Sequence, residues 1–246
     1  MLAHAGTLRD GSLADLAGHW AKADVEWLVA QGLVNGTTET TFSPQNEITR
    51  AQFSALLVRA LKAPESAEAK FTDVKPGDWY AGIVGAAVKA GLTGGFSDGS
   101  FEPDAPVTRE QAASMLAKVL KAAGKPAGAD VSALRSFTDA RLIAGPIREA
   151  AALMAETGIM TGTSAATFDP LKNLTRAQAA VVVKRFLQLD DAMLPAGAPL
   201  RRRSATMRLW TAATRVRRGR LKMASSVINP CKARYMMRRE AVRSPM

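Results

Sequence analysis

The sequence predicts an all-α chain of three helix-loop-helix repeats, followed by a basic C-terminal tail with no fold of its own. Three observations predict it. One block of motifs recurs three times, in the same order and at nearly fixed spacing. Apolar residues inside each copy return at helical intervals. Helix stop and start signals stand at matching places in every copy.

The first copy runs through Asp15, Trp20, Gly32-Leu33-Val34-Asn35-Gly36, Phe42-Ser43-Pro44 and Ile48-Thr49-Arg50-Ala51-Gln52. The second reads Phe71-Thr72-Asp73, Trp79, Gly91-Leu92-Thr93-Gly94, Phe101-Glu102-Pro103 and Val107-Thr108-Arg109-Glu110-Gln111. The third reads Phe137-Thr138-Asp139, Gly158-Ile159-Met160-Thr161-Gly162, Phe168-Asp169-Pro170 and Leu174-Thr175-Arg176-Ala177-Gln178. Twelve residues separate Trp20 from Gly32 and Trp79 from Gly91, and eight separate each Phe of Phe-x-Pro from the Arg that follows it.

Each copy spells out two helices. After the Trp, runs such as Val25, Leu28 and Val29, or Ile83, Ala87 and Val88, are apolar at helical spacing. Gly32, Gly91 and Gly158 suit the left-handed residue that follows a helix end. A loop of Gly, Thr and Ser leads to Phe-x-Pro. Thr49, Thr108 and Thr175 then read as N-caps, with Gln52, Gln111 and Gln178 three residues on completing capping boxes. Ile48 and Phe53 are spaced for a hydrophobic staple. The expected repeats span 13–61, 71–123 and 137–188. The connectors Lys62–Lys70 and Gly124–Ser136 carry Pro, Gly, Ala and charge. Helix pairs this short are marginal alone, so stacking between copies must bury their apolar faces.

Charge divides the chain. Its net +11 is concentrated from residue 192 onward, where 14 Lys and Arg face one acid, Glu240; residues 1–191 carry 19 basic and 21 acidic residues. The 192–246 tail, with Arg201-Arg202-Arg203, Arg215, Arg217-Arg218 and Arg220-Leu221-Lys222, is expected to be a disordered extension, as translation past the natural end or out of frame would produce. Non-specific polyanion or nucleic-acid binding through this tail is the alternative function. No apolar run approaches 18 residues, so no membrane span is expected. No signal peptide opens the chain, which together with the tail points to a fragment of a larger exported protein.

Catalysis is not expected. Cys231 is the sole cysteine, His4 and His19 are the only histidines, and neither histidine lies in a nucleophile motif. Gly95-Phe96-Ser97-Asp98-Gly99-Ser100 lacks the alternating acids of a calcium loop. No metal site and no cofactor are expected.

In order and spacing the motifs resemble the S-layer homology family: the Phe-x-Asp opening, the Trp at the head of helix one, the paired glycines, Phe-x-Pro, and a Thr-Arg-Ala-Glu-like box that ends here in Gln. The resemblance covers about residues 13–188. It implies a three-pronged, pseudo-threefold helical assembly on a bacterial cell surface. It further implies that grooves between repeats anchor a surface protein non-covalently to secondary cell-wall polysaccharide linked to peptidoglycan, often a pyruvylated, anionic polymer.

Within that frame Arg50, Arg109 and Arg176 are the most informative residues. A cation in the first turn opposes the helix dipole at a cost of roughly 0.3–1 kcal/mol, and the same choice appears three times. Free helix-end amides and a guanidinium together suit a sugar carboxylate. The alternative is packing across the repeat interface, or pairing with Asp15, Asp73 and Asp139. Those aspartates are expected to stabilise the turn into helix one, or to position the Arg. Gln52, Gln111 and Gln178 are caps first and possible contacts to sugar hydroxyls second. Trp20 and Trp79 read equally as core residues and as platforms for a pyranose ring. Repeat three has Pro146 there instead, so grooves built on Trp20 and Trp79 should bind better. Any DNA affinity of the whole chain, titrated against salt, should vanish when residues 192–246 are deleted; affinity surviving that deletion would place a nucleic-acid site inside the repeats.

Overall fold

A computed structural model of the chain describes residues 13–66 and 70–189; the 192–246 tail lies outside them. Six α-helices carry the described residues: α1 Lys22–Ala30, α2 Arg50–Leu61, α3 Ala81–Lys89, α4 Arg109–Ala122, α5 Arg148–Glu156 and α6 Arg176–Leu187. Among those residues there is no strand, only three isolated bridges, Glu47 to Thr175, Thr49 to Pro106 and Thr108 to Asn173. No described helix is long and apolar enough to cross a membrane.

Local signals act as the sequence predicts. Thr49, Thr108 and Thr175 each accept the amide of Gln52, Gln111 or Gln178, and each Gln side chain accepts the amide of its cap Thr. Gly32, Gly91 and Gly158 follow the first helices with φ between +68° and +70°, a region that glycine enters without a Cβ penalty. The second glycine of each loop serves close approach. A Cβ on Gly36, Gly95 or Gly162 would collide with the carbonyls of Thr41, Ser100 or Thr167. The partner of Gly91 in this pattern is therefore Gly95, four residues on as in the other copies, and not Gly94. The connector after α4 is also more ordered than a plain linker. It forms a 3-10 turn, Val131–Leu134, capped by the Asp130 carboxylate and packed on α5 through buried Leu134.

The copies close into a ring. The second helix of each repeat packs against the first helix of the next: α2 on α3, α4 on α5, and α6 back on α1. At the centre, the residues preceding the N-caps hydrogen-bond in a cycle through their backbones. Ile48 N donates to Leu174 O at 2.9 Å, Leu174 N to Val107 O at 2.9 Å, and Val107 N to Ile48 O at 3.0 Å. Their side chains are buried around the same axis. Pseudo-threefold symmetry follows, because each unit satisfies a donor of one neighbour and an acceptor of the other. The last seam also has its own lock, an ion pair from Lys184 of α6 to Asp24 of α1, with the ammonium over the Trp27 ring.

One residue departs from the repeat in a way that costs stability. Ser54 on α2 is fully buried and its hydroxyl has no hydrogen-bond partner. Ala113 and Ala180, also buried, stand at that position in the other copies. Removing an unsatisfied buried hydroxyl is worth about 1 kcal/mol. Ser54→Ala is therefore expected to raise the thermal midpoint by about 2–4 °C, read by circular dichroism; an unchanged or lower midpoint would show that the hydroxyl is satisfied in solution.

Candidate functional site

The entrance of each second helix carries the repeated Arg, and its surroundings are the same three times. The side-chain Nε of Arg50 donates to Phe101 O at 2.9 Å and Nη2 donates to Gly94 O at 3.2 Å. Arg109 bonds Phe168 O and Thr161 O, both at 2.7 Å. Arg176 bonds Phe42 O at 2.9 Å and Asn35 O at 3.0 Å. Every acceptor lies in the following repeat, with repeat three returning to repeat one. The guanidinium also lies over the Phe whose carbonyl it holds, 4.6–5.0 Å from the ring centroid, and Arg50 covers Phe96 as well at 4.8 Å.

The acceptor carbonyl is itself held. Asp15 accepts the amides of Phe42 and Ser43, Asp73 those of Phe101 and Glu102, and Asp139 those of Phe168 and Asp169, at 2.6–3.0 Å. The residue after each Phe is left-handed, with φ of 56° at Ser43, 56° at Glu102 and 54° at Asp169. Such a conformation costs a non-glycine residue about 1–3 kcal/mol; the carboxylate that takes its amide compensates. The aspartates thus brace the Phe-x-Pro turn about 28 residues away, not the turn into helix one. They position the Arg through the backbone it grips.

These contacts bear directly on the anion-binding reading. Arg50 and Arg109 are only 6% and 4% exposed and Arg176 is half-buried. Burial lowers the pKa of all three, offset in part by nearby Glu102 and Asp73, Asp169 and Asp139, or Asp15; arginine stays charged regardless. The Nε–Nη2 edge, which grips a carboxylate side-on, is committed to protein carbonyls. The helix-entrance amides are committed too. Those of Arg50, Arg109 and Arg176 donate to Ala105 O, Lys172 O and Asn46 O. Those of Ala51, Glu110 and Ala177 donate to Pro103 O, Pro170 O and Pro44 O, again in the next repeat. The free amides expected here do not exist, because ring closure brings a neighbouring loop onto every helix entrance.

What remains open are the aromatics. Trp20 and Trp79 are 63% and 52% exposed, each two residues before the first helix of its repeat. The ring of His19 lies 5.4 Å from Trp20, its Nδ1 accepting from Ala21 N and its Nε2 3.1 Å from Gln45 Nε2. Trp79 meets Tyr80 edge-on. Burial, then Asp78 and Asp104, push the Tyr80 phenol up to about 12. In repeat three Pro146 lies in the 3-10 turn Gly145–Ile147 that leads into α5, and the preceding amide, Ala144 N, donates to Glu110 Oε2 at 3.0 Å. The Gln side chains at the caps are partly exposed. Sequence reading missed a cavity of about 380 Å³ between the ends of α1 and α2 and the start of α3, lined by Gln31, Val58, Arg59, Lys62 and Ile83 among others. Exposed bases recur at its Arg59 position, as Lys118 and Arg185, a periodicity that could have flagged it. Among the described residues no group of His, Cys, Asp or Glu could hold a metal ion.

The S-layer homology domain model matches this chain three times, at residues 12–54, 70–113 and 136–180, more than half of its length. The chain is 33% identical over 181 residues to an amylopullulanase of Thermoanaerobacterium thermosulfurigenes, covering 73% of the chain and 10% of that protein. It is 34% identical over 179 residues to exoglucanase XynX of Acetivibrio thermocellus, covering 72% and 16%. It is also 32% identical over 171 residues to an S-layer protein of Bacillus thuringiensis subsp. finitimus, covering 69% and 20%. The chain thus spans only a tenth to a fifth of the length of these relatives.

The arginine contacts make a direct prediction about stability. Arg109→Ala removes two charge-assisted hydrogen bonds and leaves two carbonyls without donors, a loss of about 3 kcal/mol. A fall of about 6–12 °C in the thermal midpoint is expected, with most of it remaining in Arg109→Lys, whose ammonium cannot reproduce the planar fork. A midpoint within a degree or two of wild type for Arg109→Ala would show that the interface does not depend on this contact.

Proposed function

This chain belongs to the S-layer homology family, and on that premise we propose that it anchors a longer surface protein non-covalently to bacterial cell-wall polysaccharide. The seams between repeats take the polymer. Trp20 and Trp79 are the platforms for its sugar rings, and the side-chain amides of Gln52, Gln111 and Gln178 offer donors to nearby hydroxyls. Arg50, Arg109 and Arg176, with Asp15, Asp73 and Asp139, hold the seam walls in register and lend it positive charge. The polymer is a secondary cell-wall polysaccharide carrying anionic, pyruvylated units.

One observation carries the reading: two indoles, at matching positions of two repeats, are more than half exposed. An indole left in water has no packing reason to be there, and its flat face with a polar edge suits a sugar ring. The names of the relatives support it too, since an S-layer protein, an amylopullulanase and an exoglucanase all carry a segment similar to this chain. Any catalytic activity is then a property of whatever the module tethers, not of the module.

Trp20→Ala with Trp79→Ala is expected to weaken pull-down on purified wall polysaccharide about a hundredfold, at roughly 1.4 kcal/mol for each anchor, with far-UV helicity unchanged. Chemical removal of the pyruvyl groups should weaken wild type as well. Undiminished binding by the double variant would sink the assignment of the platforms; undiminished binding to the stripped polymer would sink the anionic specificity alone.

A further inference from the structure

We infer that Glu110 is a specificity-determining residue: its carboxylate occupies, in the seam between repeats two and three, the position that a ligand carboxylate takes in the other two seams. The inference rests on the reading of the seams as sugar-acid sites given above and adds to it a residue that sets which seams are available. Glu110 is the second residue of α4, and its Oε2 reaches across the repeat boundary to accept Ala144 N at 3.0 Å. The contact is solvent-exposed.

Register identifies its counterparts. Counted from the repeated Arg, Glu110 corresponds to Ala51 and Ala177, neither of which has a carboxylate. Counted back from Gly158, Gly91 and Gly32, Ala144 corresponds to Gly77 and Gly18. The turn that follows agrees, since the next residue in each copy accepts the same i+3 amide, although Gly18 itself has φ +70° where Ala144 has −57°. His19 O takes Lys22 N, Asp78 O takes Ala81 N, and Gly145 O takes Arg148 N. Gly77 and Gly18 are exposed, and their amides have no hydrogen-bond partner among the described residues. Each stands two residues from an exposed indole, Trp79 or Trp20.

Two differences therefore coincide in one seam. Where the other copies pair an open amide with an exposed indole, repeat three has its amide taken by the protein's own acid and Pro146 in place of the indole. The protein-borne carboxylate acts twice on an anionic sugar. It competes for the amide, and its charge repels the incoming one. A seam closed in this way leaves the polymer to the seams at Trp20 and Trp79.

The test uses the full chain labelled with nitrogen-15, titrated with a synthetic pyruvylated methyl glycoside and, as neutral control, its methyl ester. In wild type the amide resonances of Gly18 and Gly77 should shift with the acid sugar and Ala144 should not. In Glu110→Ala, a change to the residue that copies one and three already carry, Ala144 should join them, with about a tenfold gain in affinity at that seam, the factor for one charge-assisted contact freed for a ligand. Glu110→Gln, which keeps an acceptor but loses the charge, should give a smaller gain. If Ala144 stays silent in Glu110→Ala while Gly18 and Gly77 respond, this inference alone is overturned. If none of the three responds in either protein, it falls together with the functional reading.

Discussion

Everything in this fold hangs on a guanidinium that ends in another repeat. Each repeated Arg takes a permanent charge partly or almost wholly out of water, and burial without partners would be costly. The partners are two backbone carbonyls and the face of a Phe, and they come from the next copy around the ring. A repeat by itself therefore has a donor it cannot satisfy and a loop nothing holds. Three copies, closed head to tail, satisfy all of both.

The clasp has a second tier that explains why its acceptor stays in place. An Asp near the start of each repeat holds the amides of the Phe-x-Pro turn, including the amide of a residue in a strained left-handed conformation. The same peptide segment thus donates to Asp on one side and accepts from Arg on the other. Acid and base do not pair directly; they grip opposite ends of one strip of backbone. The arrangement braces the turn from both sides.

The symmetry is approximate where function is concerned. Three Arg, three Asp and three capping boxes hold corresponding partners, their bonds agreeing to within 0.5 Å. The seam surfaces differ. One shows Trp20 with His19 and Gln45, one shows Trp79 with Tyr80, and one shows Pro146 with Glu110 on the Ala144 amide. The closed framework tolerates this variation because none of these residues takes part in the clasp.

Most of the architecture was legible in the linear chain because its signals are local. A Thr three residues before a Gln, a Gly after an apolar run and a fixed interval from Phe to Arg depend on neighbours a turn or two away, so six helices and their caps follow from the order of residues alone. The recurrence of Arg at a position the helix dipole disfavours also showed that it had a job. What that job is depended on contacts 44–141 residues distant, through backbone carbonyls that every residue type carries and no side-chain pattern can announce. Likewise the role of Asp15, Asp73 and Asp139, the occupied helix-entrance amides, the exposure of Trp20 and Trp79, and the reach of Glu110 to Ala144 were decided only when the ring closed. Closure alone determines which polar groups find partners inside the protein and which are left facing water.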